Sequence, residues 1–418
     1  MAGDTVARSV NKFIIFGVGR QIRWIYPPLN KPKTLALMFF MKSTAIVLLT
    51  LGTIIQSCGQ SPRTDSDETK EFLRLVKSRP YFSLQQDSKP DSLVLPIIHK
   101  DRDFEIQLAD NFINLEEKHL VLKNPYSDSE YPLSFSVIYR DRIVSLFEPG
   151  KFACYNLSLT RDSEFERKLN TKTFKYHWII DNTLVAKSGG SLYTWTDESG
   201  WVSFQKKNPM ENQPKLFEDD KYIVYFHCNG EFGGTVYFYD KSTKDIHVTE
   251  ATCPNSVNIQ DNEYLILSTL GHMMGSTDLK SIANPSMLPK LKDLKKLKLE
   301  GWAKSNIGYA DSSNNSKKEF EYYNILSFSS FKRKGELLYW IHWNDFNFLA
   351  TIDNHVISIV DPLFIKDEIY THDPVTTTYD NGLVLMNFDF YGLGREREVS
   401  FILVDKDRIT KVDWSEKH

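Results

Sequence analysis

From about residue 86 the chain alternates short polar turns with apolar runs of about six residues. Five stretches share one form: RDRIVSLFE (140–148), IDNTLVAKS (180–188), EDDKYIVYF (218–226), QDNEYLILS (260–268) and YDNGLVLMN (379–387). Each opens on a polar pair, usually Asp-Asn or Asp-Asp, residue types that favour tight turns. Each continues as an apolar, β-branched and aromatic run that suits a pleated strand. With Asp141, Asn182, Asp220, Asn262 and Asn381 taken as equivalent, the steps are 41, 38, 42 and 119 residues. The last step is close to three of the others. Two degenerate units are therefore expected between 263 and 380, and KDRDFEIQL (100–108) reads as an earlier member.

The clearest unit spans residues 219–250: a strand over 222–226, a Gly-rich loop, a strand over 235–239, a tight turn at 240–243 and a strand over 246–249. Short strands with turn signals at this spacing predict an all-β repeat. A period near 40 with about four strands per unit predicts a β-propeller. The unit resembles blades of extracytoplasmic propellers, although no Trp-Asp or kelch-type Gly-Gly tag recurs in every unit. The expected domain is 86–418 with seven blades, six or eight being compatible with the spacing. A pair of β-sandwiches is the alternative. Closing the ring protects strand edges, which suits a protein exposed outside the cell.

One segment breaks the period. NPSMLPKLKDLKKLKLEGW (284–302) places Leu288, Leu291, Leu294 and Leu297 three apart among five lysines, which predicts a basic amphipathic helical insert. Its leucines are expected to pack on the propeller with the lysines in water.

The N-terminal region has a different pattern. MKSTAIVLLTLGTIIQSCGQ (41–60) has a single early lysine, an apolar run and small residues before Cys58, the parts of an export signal. The stretch Ile55-Gln56-Ser57-Cys58 resembles the lipobox of bacterial lipoproteins, departing from the commonest form at Gln56. That resemblance implies cleavage before Cys58, diacylation of its thiol and a membrane anchor. The competing reading is a retained span over 34–55, 22 mostly apolar residues, the length that crosses a bilayer. Arg20, Arg23, Lys31 and Lys33 ahead of it keep the N-terminus cytoplasmic by the positive-inside rule. Either reading puts the body of the chain in the cell envelope, outside the cytoplasm. Residues 1–40 then read as an extension ahead of a true start at Met38 or Met41, 41–57 as the signal or membrane helix, and 58–85 as a polar, flexible linker. The acidic cluster Asp65, Asp67, Glu68 and Glu71 falls in that linker.

A formal charge of −3 lacks the basic excess expected of a nucleic-acid binder. Four cysteines are too sparse for a disulfide scaffold and too scattered for a zinc site. Cys228 and Cys253 flank one unit and read either as a disulfide or as two buried thiols. Neither G-x-S-x-G, H-E-x-x-H, a P-loop nor a dinucleotide fingerprint occurs. No cofactor, metal or catalytic set is expected. The loops that follow the repeated strands carry the candidates for binding: His227, Asn229 and Glu231, then His272, then His342, Trp343 and Asp345, then Arg395. Equivalent loops of a propeller gather on one rim, and loops on a rigid scaffold build binding sites. The expected function is a ligand- or partner-binding module for a glycan, a peptide or an envelope protein. The rivals are a propeller hydrolase using carboxylates such as Glu231 and Asp345, or a structural subunit of an envelope complex.

Overall fold

Three of the five polar pairs that head the repeats are left-handed hairpin turns. Arg140 and Asp141, Asp181 and Asn182, and Asp261 and Asn262 all have φ between 49° and 65°, the geometry of a two-residue type I′ turn. Asp and Asn tolerate that region better than other side chains, which accounts for them at these three turns. A fourth turn of the same kind sits at Lys334 and Gly335 (φ 51° and 86°).

The computed structural model describes residues 67–78, 97–126, 132–205, 213–272, 274–365, 369–389 and 399–415. The extension 1–40, the segment 41–57, Cys58 and Arg395 lie outside the described residues. Among the described residues no helix is long and apolar enough to cross a membrane.

A helix, α1 (Asp67–Ser78), comes first, followed by β1 (Ile97–Lys100), β2 (Glu105–Leu108) and β3 (Glu116–Lys123). Six antiparallel blades then follow in chain order. Blade 1 is β4 (Ser134–Tyr139), β5 (Arg142–Phe147) and β6 (Lys151–Asn156), with helix α2 (Ser163–Leu169) packed beside β6. Blade 2 is β7 (Tyr176–Ile180), β8 (Thr183–Ser188), β9 (Ser191–Thr196) and β10 (Gly200–Ser203). Blade 3 is β11 (Lys215–Glu218), β12 (Tyr222–Cys228), β13 (Gly234–Asp240) and β14 (Ile246–Glu250). Blade 4 is β15 (Pro254–Gln260), β16 (Glu263–Leu270), β17 (Ser276–Ile282) and β18 (Lys317–Tyr323). Blade 5 is β19 (Leu326–Arg333), β20 (Glu336–Trp343), β21 (Phe346–Asp353) and β22 (Val356–Leu363). Blade 6 is β23 (Val375–Thr378), β24 (Val384–Asp389), β25 (Val399–Asp405) and β26 (Arg408–Ser415).

The ring therefore has six blades, not the expected seven. Only one unit, KRKGELLYW around Gly335, lies between 263 and 380. The long step arises because residues 283–316 are inserted between β17 and β18. KDRDFEIQL is not a blade either. It contributes β2, which pairs in parallel with β22 on the outer edge of blade 5. β3 does the same beside β26 of blade 6. The segment before blade 1 thus straps the outside of the last two blades, and its onward connection leads into β4. At the inner seam the Asn387 amide exchanges two hydrogen bonds with the Ser136 backbone, at 2.9 and 3.1 Å. Those bonds join blade 6 to blade 1 and close the ring.

Helix α1 also corrects the reading of 58–85 as a flexible linker throughout. Phe72 is fully buried, edge-on to Phe346 and Phe348 at 5.3 and 6.3 Å. Phe72, Leu73 and Leu75 fall on one helical stripe, which gives a short polar tract enough apolar area to dock.

The basic insert is not one helix. It holds single turns at Pro285–Met287, Leu291–Leu294 and Trp302–Ser305, because Pro285, Pro289 and Gly301 interrupt the helical path. Its backbone runs along the free edge of β14 instead: Val248 N–H donates to Pro289 O at 3.0 Å, and His247 Nδ1–H donates to Leu288 O at 2.9 Å. Leu288 and Leu294 are buried, whereas Leu297 is 58% exposed. Lys290 and Lys292 both grip Asp245, at 2.7 and 2.5 Å, and these cations hold its carboxyl down at about 2.

Candidate functional site

In each blade the first-to-second and third-to-fourth turns lie on one rim, and the second-to-third loop lies on the other. The second rim carries the candidates. In blade 3, β12 ends at Cys228, a short turn Gly230–Phe232 follows, and β13 returns at Gly234. The return is close: a Cβ on Gly234 would sit 2.5 Å from Ala251 O and 2.6 Å from His227 O. Only glycine lets the loop fold back this tightly.

Cys228 is bonded to Cys253, which ties the end of β12 to the segment entering blade 4. Asp373, from the segment that leads into blade 6, places its carboxylate 3.4 Å from Cys228 Sγ. In blade 4 the loop after β16 brings Gly271 and His272 to the same place. His272 Nδ1 lies 2.9 Å from Glu231 Oε2, and both side chains are about half exposed. Tyr370 O–H donates to Gly271 O and so fixes the lead-in of blade 6 against blade 4. His372 follows it, its ring 5.4 Å from Tyr370. Cys228, Asn229, Glu231, Phe232, His272, His372 and Asp373 line one open pocket of about 490 Å³, a size that suits a small ligand or a side chain of a larger one.

The insert completes the site from the outside. Asn306 accepts from Asn229 Nδ2 at 2.7 Å and donates to Phe232 O, so the tip of the insert is hydrogen-bonded to the blade 3 loop. Trp302 lies 6.4 Å from Phe232 at 29°, and 6.1 Å from Tyr309 at 30°. All three rings are exposed, by 58%, 54% and 38% for Phe232, Trp302 and Tyr309. They form a nearly parallel aromatic shelf beside the Glu231–His272 pair. Contiguous exposed rings on a folded domain mark a contact surface rather than a packing remainder.

Of the residues singled out in the sequence, Asn229, Glu231 and His272 meet at this pocket. His227 precedes Cys228 on β12 and does not line it. His342 is half-buried, stacked on Phe328 at 5.4 Å and edge-on to Tyr370 at 5.5 Å. Desolvation lowers its pKa, with Asn347 and Asp345 opposing the shift. Trp343 is a core residue, 3% exposed, with His99 at 5.2 Å. Asn344 and Asp345 form the β20–β21 turn with φ 48° and 65°, a local demand that accounts for both residue types. Phe232, Trp302, Tyr309, His372 and Asp373 were not foreseen. Aromatics clustered in an insert are a signal that sequence reading could have used; the lead-in to blade 6 has none.

A larger groove, about 750 Å³, lies on the other rim between blades 4 and 5. The smaller pocket is the better candidate site because loops of three blades converge there on a His–carboxylate pair.

No family model and no curated protein matches the chain. Among solved structures it is similar to the N-terminal domain of Nup159 at 10% identity, covering 72% of this chain and 76% of that one, with a TM-score of 0.29. It is similar to the β-propeller domain of the Trilobed protease from Pyrococcus furiosus at 12% identity, covering 67% and 85%, with a TM-score of 0.32. It is similar to the WD40 domain of SCAP from fission yeast at 10% identity, covering 65% and 68%, with a TM-score of 0.28. The strand topology above defines a six-bladed β-propeller.

Proposed function

We propose that this chain is an envelope lipoprotein, anchored through Cys58, whose propeller binds a ligand or partner on the rim that carries Glu231 and His272. The observation that carries the binding reading is the 2.9 Å Glu231–His272 pair at a three-blade pocket, next to three exposed, nearly parallel rings. A carboxylate, an imidazole and an amide offer directed hydrogen bonds, while the rings offer flat apolar faces. That combination suits a glycan or a peptide with alternating polar and apolar surfaces. Asp345 does not line the pocket with Glu231, so a hydrolase built on the Glu231–Asp345 pair gains no support from the site.

The lipobox-like sequence supports the anchor and the envelope location. The Cys228–Cys253 disulfide is consistent with that address, since such bonds persist in oxidising compartments. The experiment is a screen of the purified protein on glycan and peptide arrays beside Glu231→Gln/His272→Ala and Trp302→Ala variants. Ligands bound by the wild type and lost in both variants support the reading. Ligands bound equally by all three proteins overturn it.

A further inference from the structure

The groove between blades 4 and 5 is not used by the proposed binding rim, and its chemistry is distinctive. Its floor is apolar, formed by Leu265, Leu279, Leu337 and Ile352 from strands of both blades. Its lip is acidic: Asp261, Glu336 and Asp353 project from three separate hairpin ends. Glu319 is engaged by Lys317 at 2.7 Å, and Lys317 is the single Lys or Arg among the lining residues. Asp261, Glu336 and Asp353 join no ion pair with the described Lys and Arg side chains. The groove therefore offers apolar area framed by uncompensated negative charge.

The complementary feature lies on the same chain. Residues 295–298, Lys-Lys-Leu-Lys, leave Leu297 58% exposed amid three exposed lysines, of which Lys296 pairs with Asp293 at 2.8 Å and Lys298 lies 3.7 Å from Glu300. Leu297 is not needed to hold the insert, since Leu288 and Leu294 are buried beneath it and Lys290 and Lys292 are tied to Asp245. Lys295 has no ion pair among the described residues. We propose that a second copy of this chain seats Leu297 in the blade 4–blade 5 groove, with its lysines facing Asp261, Glu336 and Asp353. An exposed leucine on a net-basic segment is an unfavourable surface in isolation. It becomes favourable against an apolar floor with an opposite rim. Backbone hydrogen bonds pin the insert to β14 of its own blade 3, so the two patches belong to different places on each copy. The contact joins two different patches, one from each copy. It leaves the Glu231–His272 rim free on every copy.

The experiment mixes full-length Leu297→Cys with full-length Ile352→Cys under mild oxidation. Among the described cysteines, Cys154 is buried and Cys228 and Cys253 are paired, so the new thiols dominate the reaction beyond the baseline that each variant shows alone. The expected result is a disulfide-linked dimer in the mixture, well above either variant by itself. Adding Asp261→Lys, Glu336→Lys and Asp353→Lys to the Ile352→Cys partner should cut the yield by roughly an order of magnitude. Adding Lys295→Glu and Lys298→Glu to the Leu297→Cys partner should then restore it. A mixture that cross-links no more than its components overturns the proposal, as does a yield that charge reversal leaves unchanged.

Discussion

His272 Nδ1 and Glu231 Oε2 lie 2.9 Å apart, although their loops belong to neighbouring blades and are separated by four strands of sequence. The pair exists because the β12–β13 and β16–β17 loops emerge on the same rim. The Cys228–Cys253 bond and the Tyr370–Gly271 hydrogen bond draw three blades together around it.

Replacing Glu231 with Gln and His272 with Ala should remove ligand binding while leaving the melting temperature within a degree or two, because both side chains are half exposed. Trp343→Ala is the contrasting case. It empties a buried site and should lower stability by about 3–5 kcal/mol, so any binding it loses reports unfolding. Urea denaturation followed by fluorescence separates the two.

The disulfide closes a 25-residue loop around blade 3. Its removal by Cys228→Ser/Cys253→Ser should cost about 3 kcal/mol. Reduction of the wild type with dithiothreitol should reproduce the loss, and should leave the double variant unaffected.

The close return of the blade 3 loop predicts a sharp difference between glycines. Gly234→Ala would force its Cβ into two backbone oxygens and should cost about 1–3 kcal/mol with loss of the pocket. Gly190→Ala meets nothing within 4 Å and should be neutral to within ~0.5 kcal/mol. Thermal melts of the two variants check this.

Two buried groups make opposite contributions to acid stability. Burial holds Asp278 up at about 7, against an ordinary 3.8, with Lys280 opposing the shift and Glu250 adding to it. The folded chain therefore grips that proton more tightly, and the stability is fully present below about 3.8 and lost as pH rises towards 7. Burial pushes His177 down to about 4 from 6.5. Its ring accepts from Ser134 O–H at 2.6 Å and donates to Val144 O at 3.1 Å, both satisfied by the neutral form. That contribution is fully present above 6.5 and lost as pH falls towards 4. The two windows overlap, so the slopes offset each other in the wild type. Asp278→Asn should leave a protein that weakens on acidification by up to ~1.4 kcal/mol per pH unit between 6.5 and 4, and His177→Gln should show the reverse trend. Urea midpoints across that range give both slopes.

The propeller was legible because polar turn pairs head five of the repeats, three of them type I′ turns that favour Asp and Asn. The sixth repeat hid behind a Lys-Gly pair, and the insert stretched the step from Asn262 to Gly335 to 73 residues, with 46 more to Asn381. Strand alternation and burial defeated the reading of His342 and Trp343, since a turn-flanking aromatic looks the same in sequence whether it faces a rim or the core. Asn229, Glu231 and His272 were found because they sit in equivalent loops. His372 and Trp302 reach the same place through a lead-in segment and an insert, neither of which follows the repeat.

The proposed anchor has its own check. Palmitate labelling of cells should mark the wild type and not Cys58→Ala, and the mature wild-type protein should begin at an acylated Cys58. Recovery of a peptide from residues 1–40 in the mature protein would contradict it.

The most direct measurement of the binding rim is photo-crosslinking in living cells, with benzoylphenylalanine placed at Phe232, at Trp302 and, on the opposite rim, at Lys244. The binding account predicts discrete adducts from 232 and 302, their loss when Glu231→Gln and His272→Ala are added, and none from 244. Adducts of equal yield from all three positions, or from 244 alone, would contradict it.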